Sequence, residues 1–175
     1  RMEQEELMDI CAKATMESGL QVQVANDNCP GQLVISGHMR ALEIAMAQAR
    51  IAGARRSQRL PISIAAHSPL MEVVADEYRE VIQSQSFRTP DAPIIANTTA
   101  KPIRTSEAIQ AELNAQLTAQ VRWRESMLYL LSQGITNFFE LGPKDVLTAL
   151  LRRIDRNATG HAVDGPAAIV GLEST

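Results

Sequence analysis

The segment from residue 59 to residue 72, which reads RLPISIAAHSPLME, constrains the fold more than any other part of the chain. Its apolar first half predicts a strand over residues 60–65. Ser68 and Pro69 then predict the start of a helix, with Ser68 as the N-cap and Pro69 at the first helical position. His67 therefore stands where a strand ends and a helix begins. A strand that leads directly into a helix is the building unit of α/β proteins.

The remainder of the chain alternates between short apolar runs and longer amphipathic segments, which predicts an α/β fold. From residue 59 onward the strands are expected to form a mainly parallel sheet. Before it, a helix, a hairpin and a second helix fit most of a small ferredoxin-like subdomain, whose first strand would precede Arg1. The predicted helices are 5–18, 42–52, 69–85, 106–117, 122–133 and 143–154, and the predicted strands are 21–25, 33–36, 60–65, 93–97 and 136–141.

The composition argues against several classes of protein. Of the 175 residues 45% are hydrophobic, which is enough for an ordinary core and argues against disorder. The net charge of −3 and the aromatic content of 3% argue against nucleic-acid binding. The sequence lacks a signal-peptide pattern and any run near the ~18 apolar residues of a membrane span. With two cysteines, a cytoplasmic protein without metal or other cofactor is expected.

Five short motifs follow one another along the chain. They are VANDNCPGQLVISG (24–37), AHSPLM (66–71), PIIANTTA (93–100), QL (116–117) with VRW (121–123), and FELGP (139–143) before VL (146–147). In this order and at this spacing they resemble malonyl-CoA:acyl carrier protein transacylases and the acyltransferase domains of polyketide and fatty-acid synthases. The resemblance covers roughly residues 5–158.

The resemblance implies the C-terminal part of a hydrolase-like parallel-sheet core at 59–158. The element pattern predicts the incomplete ferredoxin-like small subdomain at 1–58, and the Gly, Ala and Ser content of 159–175 predicts a loose tail. The Gly-x-Ser-x-Gly turn that carries the nucleophile is missing from the sequence. In the family that turn, the oxyanion-hole glutamine and the arginine that binds the malonyl carboxylate lie in the first half. The chain is therefore expected to be a partial protein that is inactive by itself.

His67 is the candidate general acid and base. Imidazole titrates near neutrality, so it can take a proton from an attacking group and return it to a leaving group. The resemblance implies that the histidine serves an acyl-serine intermediate and that the backbone carbonyl of Gln116 orients its second ring nitrogen. The alternatives are a packed or surface histidine and a plain helix-end glutamine. Helix capping explains Ser68 better than a role as nucleophile does.

Five further residues are candidates for binding. Asn26 and Asn28, expected in the hairpin loop, match the part of the family that faces the coenzyme A cleft, although Asn also favours tight turns. Ala66 stands where relatives that accept a larger α-substituent often carry a small residue. Arg55 and Arg56 belong to a basic cluster that is either a solvated face or a docking site for an acidic carrier protein.

The resemblance implies transfer of a malonyl or related acyl group from coenzyme A to the phosphopantetheine thiol of an acyl carrier protein, in fatty-acid or polyketide synthesis. The expected partners are an acyl-CoA and the carrier protein, without nucleic acid or membrane. Two alternatives stay open. An acyl hydrolase of the same fold would pass the acyl group to water, and a non-catalytic remnant would only bind the carrier protein.

Overall fold

The computed structural model describes residues 2–166 and residue 168. They form helices and short strands in alternation, which confirms the α/β class. In chain order the elements are α1 (Gln4–Ser18), β1 (Val22–Cys29), β2 (Gln32–Gly37), α2 (Met39–Ile51), a 3₁₀ helix (Pro69–Val74), α3 (Ala75–Ser84), β3 (Ile94–Ile95), β4 (Pro102–Ile103), α4 (Ser106–Gln116), α5 (Trp123–Ser132), β5 (Asn137–Leu141), α6 (Val146–Ile154) and β6 (Thr159–Val163).

The first part of the chain packs α1 and α2 against the hairpin of β1 and β2. The helices bury one stripe each, and the stripe of α2 consists of alanines, which lets the two helices approach closely. The core of this part contains Leu7, Ile10, Cys11, Ala14, Val22, Val24, Ala41, Ala45 and Ala49. The predicted helix, hairpin and helix are confirmed.

The hairpin of β1 and β2 has longer strands and a tighter turn than the sequence predicts. Asn26 and Asn28 were expected in the loop, but both lie within β1, because Pro30 and Gly31 alone make the turn. Ala25 is an extra residue between two successive pairs of the ladder and forms a β-bulge. The bulge resets the alternation of β1, so that Asn26 is half-buried and faces the same way as other half-buried residues of the strand.

The second part of the chain contains a parallel pair of strands, β5 and β6, with α6 as the connection between them. The helices α5 and α6 cover a core of Met127, Leu151 and Ala158. The carboxylate of Glu140 accepts hydrogen bonds from the first turn of α6, at 2.9 and 2.7 Å. Strand β6 falls in the predicted tail, which is therefore wrong for residues 159–163; residues 167 and 169–175 of that tail lie outside the described residues.

The strand predicted at 60–65 is wrong. This segment is irregular, and the side chains of Leu60, Ile62 and Ile64 are exposed by 39, 59 and 61%. A strand needs a neighbour that accepts and donates its backbone hydrogen bonds, and nothing in the described part of the chain pairs with it. The helix predicted at 69–85 does begin at Pro69, but as a 3₁₀ helix that passes into α3.

None of the helices in the described ranges is long and apolar enough to cross a membrane. Within the same ranges, the side chains of His, Cys, Asp and Glu form no group of three or more that could hold a metal ion.

Candidate functional site

His67 has an unusual backbone conformation. Its φ of 57° lies in the left-handed region, which residues other than glycine rarely adopt and which concentrates at functional sites. The N–H of His67 donates to the carbonyl of Leu117 at 2.9 Å, so the turn is attached to the end of α4. A conformation of this kind persists only where the surrounding contacts hold it in place.

The imidazole of His67 is oriented by a main-chain oxygen. Its Nδ1 lies 2.8 Å from the carbonyl oxygen of Gln116, the last residue of α4. A carbonyl oxygen can only accept, so Nδ1 carries the proton in neutral imidazole and Nε2 keeps the lone pair. The structure thus brings together the two residues that the sequence singled out for proton transfer.

The C-terminus of α4 supplies three successive carbonyls to this site. The last carbonyls of a helix have no partner within the helix and need one from elsewhere. Those of Gln116 and Leu117 bond His67, and that of Thr118 accepts from the side-chain amide of Gln23 at 3.1 Å. The same amide of Gln23 donates to the carbonyl of His67 at 2.7 Å.

Gln23 is the contact residue that the sequence interpretation missed. It lies in β1, far from His67 along the chain, and its partners are carbonyl oxygens, which leave no mark in a sequence. The signal that could have found it is its position as a polar residue between the buried Val22 and Val24.

The loop after α4 is fixed against β1 as well. Val121 donates to the carbonyl of Ala25 at 2.8 Å and accepts from the N–H of Asp27 at 3.0 Å, so this residue pairs with Asn26 like a short parallel strand. Next to it, the N–H of Arg122 donates to the carbonyl of Asn97 at 2.7 Å. The half-buried Asn26 therefore stands beside the loop that carries the carbonyls facing His67.

The other candidate residues have diverse positions. Asn28 is half-buried in β1, and Ala66 is half-buried in the turn before His67. Arg55 and Arg56 are exposed in the irregular segment between α2 and the 3₁₀ helix. The structure does not test the binding roles of these residues, which stay predictions.

Ser68 stands at the N-cap position, but its hydroxyl does not cap the helix. It is fully buried and donates to the carbonyl of Ala65 at 2.7 Å. The predicted capping hydrogen bond, in which the hydroxyl oxygen would accept from a backbone N–H of the first turn, is not formed. The hydroxyl instead donates backwards along the chain and closes the turn through His67. The buried hydroxyl is engaged in holding the turn.

Asp27 is a buried carboxylate next to the site. One oxygen lies 4.0 Å from a guanidinium nitrogen of Arg124, and the other, Oδ1, has no hydrogen-bond partner among the described residues. Burial raises the pKa of Asp27 above its usual value, Arg124 acts in the opposite direction, and Glu125 and Glu3 add to the rise. Desolvation therefore outweighs the attraction of Arg124.

Replacing Asp27 by Asn should stabilise the fold at neutral pH. Since the pKa is higher in the folded than in the unfolded protein, the charged carboxylate costs stability above its titration range and not below it. We expect a gain of about 1 kcal/mol in unfolding free energy at pH 7, which shrinks as the pH approaches about 4. Urea denaturation at both pH values measures it, with the exposed Asp9→Asn as control. A loss at pH 7 would mean that the pairing with Arg124 dominates.

The described residues form an α/β protein in which a main-chain oxygen anchors the ring of His67. The chain belongs to the acyl transferase domain family, which its sequence matches over residues 2–172. It is 38% identical to the malonyl CoA-acyl carrier protein transacylase of Bacillus subtilis (strain 168) over 168 residues, which is 96% of this chain and 53% of the relative. The transacylase of Escherichia coli (strain K12) is also 38% identical, over 90% of this chain and 52% of the relative.

Solved structures agree with this membership. The malonyl-CoA:acyl carrier protein transacylase of Xanthomonas oryzae superposes with a TM-score of 0.91 at 34% identity, over 98% of this chain and 54% of that protein. A malonyl-transacylase in complex with a type II polyketide synthase acyl-carrier protein gives 0.94 at 34% identity, over 100% and 56%. The chain thus spans about half the length of the proteins it matches.

Proposed function

We propose that the protein containing this chain transfers a malonyl group from coenzyme A to the phosphopantetheine thiol of an acyl carrier protein. An acyl-serine is the intermediate, and this chain supplies its acid and base, His67. The observation that carries the proposal is the 2.8 Å contact between Nδ1 of His67 and the carbonyl of Gln116. It supports the tautomer in which Nδ1 carries the proton of the neutral ring and Nε2 can accept one.

In the first half-reaction, Nε2 takes the proton of the serine hydroxyl while the serine oxygen attacks the malonyl thioester. The bond to sulfur breaks, and the imidazolium gives its proton to the departing coenzyme A thiolate. The serine itself belongs to the part of the protein outside this chain. The C-terminus of α4, the negative end of the helix dipole, lies where the ring gains its positive charge.

The second half-reaction reverses the roles. The carrier thiol gives its proton to Nε2 and attacks the acyl-serine ester, after which the imidazolium returns a proton to the serine oxygen. The carbonyl of Gln116 can accept the Nδ1 proton in both states of the ring, so the orientation of His67 is kept throughout. No net proton is consumed between the two thioesters.

The test is intact mass spectrometry of the full-length protein with malonyl-CoA and a carrier protein that bears its phosphopantetheine arm. We expect a malonyl adduct on the enzyme that disappears as malonyl-carrier forms. Release of free malonate without malonyl-carrier would favour a hydrolase, and binding of carrier without any adduct would favour a non-catalytic remnant. The 175-residue chain alone should form no adduct, because it lacks the Gly-x-Ser-x-Gly turn.

Arg55 and Arg56 are proposed to attract the acidic carrier protein, since both side chains are exposed. The double variant Arg55→Glu/Arg56→Glu should lower kcat/KM for the carrier about ten-fold at low salt, and less as salt screens the charges. The value for malonyl-CoA should change less. The exposed pair Arg88 and Arg156, reversed in the same way, is the control. An unchanged kcat/KM for the carrier at low salt would leave the cluster as a solvated face.

Ala66 is proposed to border the acyl group, because it immediately precedes His67 and is half-buried. A small residue at this position would tolerate an extra methyl on the substrate. The test compares the wild type with Ala66→Phe in their selectivity between malonyl-CoA and the thioester with one extra methyl on the acyl group.

A further inference from the structure

We propose that Gln23 is a positioning residue that fixes the backbone of His67 and, through it, the tautomer and the direction of the imidazole. The inference rests on the proposed function, because it concerns the same proton-transfer group. It means that one of the hydrogen bonds that hold the backbone of His67 comes from a side chain of the β1–β2 hairpin, and not from the part of the chain that carries His67 and α4.

The geometry allows one orientation of the Gln23 amide. Both neighbours, the carbonyls of His67 at 2.7 Å and of Thr118 at 3.1 Å, are acceptors. The NH₂ group offers two donor hydrogens, whereas the amide oxygen offers none. Both hydrogens are therefore used, and the side chain joins the turn at His67 to the carbonyl end of the α4 loop.

The left-handed backbone of His67 explains why the hydrogen bonds of the Gln23 amide matter. At φ 57° the residue can relax to the commoner negative φ unless its peptide groups are held. Its N–H is held by Leu117, and its C=O is held by Gln23. A rotation about φ would swing the side chain and take Nδ1 away from the carbonyl of Gln116, so the two backbone bonds protect the ring contact.

The variants follow from the chemistry of the amide. Gln23→Met keeps the length and removes both donors, and Gln23→Glu keeps the shape but faces two carbonyl oxygens with a carboxylate. The control is Gln21→Met, because Gln21 is exposed immediately before the same strand and its backbone carbonyl bond to His38 survives the change. Circular dichroism and urea denaturation check that each full-length variant is folded.

Two readouts are specific for positioning. In steady-state assays of the full-length protein, Gln23→Met should lower kcat about ten-fold, the loss of an ordinary hydrogen bond or two, with KM for malonyl-CoA within about two-fold. In ¹⁵N NMR of the histidine rings at a pH where they are neutral, the wild type should show His67 as the Nδ1–H tautomer. Gln23→Met should show a mixture with Nε2–H, and Gln21→Met should match the wild type.

The outcomes separate this inference from the proposed function. Full activity of a His67→Ala variant would contradict the proposed function itself. An inactive His67→Ala together with wild-type kcat and tautomer in Gln23→Met would overturn only the role of Gln23. A loss of activity with an unchanged tautomer would also overturn it, since that pattern is merely structural. If Gln23→Met fails to fold, Gln23→Glu takes its place, and an Nε2–H tautomer in the wild type overturns the inference without any variant.

Discussion

Replacing His67 by Ala in the full-length protein should lower the turnover of the proposed malonyl transfer by about 10²–10⁴-fold, the usual contribution of one acid and base. The imidazole is the group whose Nδ1 bonds the carbonyl of Gln116 and whose Nε2 is left to move protons. Alanine removes this path but leaves the peptide groups of the turn in place. Binding of coenzyme A should therefore change little.

The measurement is the single-turnover rate of acyl-enzyme formation together with the steady-state rate of carrier loading. His38→Ala is the matched control, because His38 is exposed at the start of α2, and its rates should equal those of the wild type. A His67→Ala protein that loads the carrier at a rate near wild type would contradict the assignment. A large loss of coenzyme A affinity would point to binding instead of proton transfer.

Replacing Gly37 by Ala should destabilise the fold strongly. A Cβ at this position would lie 2.3 Å from the carbonyl oxygen of Gln21 and 2.5 Å from the Cα of Val22. Both are backbone atoms at the start of the facing strand or just before it, and they cannot turn aside as a flexible side chain would. We expect a loss of about 3 kcal/mol or more in unfolding free energy, at the upper end for a core that is overpacked.

Urea denaturation of the full-length variant measures this loss, with Gly165→Ala as control. The surroundings of Gly165 are open, so its substitution should cost little. A loss below about 1 kcal/mol at Gly37 would show that the hairpin can spread at small cost, contrary to the tight packing of cores. If the hairpin spreads without unfolding, Gly37→Ala should lower the rate of carrier loading as Gln23→Met does. Both changes act on β1.

Much of the fold follows from local sequence signals. Helical spacing of apolar residues predicts α1 and α2, since both bury a continuous stripe. The strand predicted at 60–65 has the right local composition, but a strand forms only where a neighbour satisfies its backbone, which no local pattern contains. The reverse holds for β6. Its Gly160 reads as loop, yet a side chain there would press against Thr148 of α6, so packing requires the glycine.

The candidate site is predictable to a similar extent. The motif around His67 and the later glutamine indicate the pair that the fold brings into contact. The side chain of Gln23 is not predictable in this way, because its partners are main-chain oxygens more than 40 residues away, as the separations of 44 and 95 residues show. The prediction for Asn26 was misled because amide residues favour turns, whereas Pro30 and Gly31 alone make the turn and leave Asn26 inside β1.

The use of a main-chain oxygen to orient His67 has a consequence for genetic screens of this protein. Every amino acid carries the same carbonyl, so saturation mutagenesis of Gln116 cannot delete the acceptor that lies 2.8 Å from Nδ1. Such a screen would report how well each residue ends the helix α4, and position 116 would be classed as tolerant of substitution. The carbonyl of Gln116, which contacts the imidazole, would thus escape detection in such a screen. Replacing the amide that follows Gln116 by a backbone ester, through chemical protein synthesis, would be the way to weaken this acceptor.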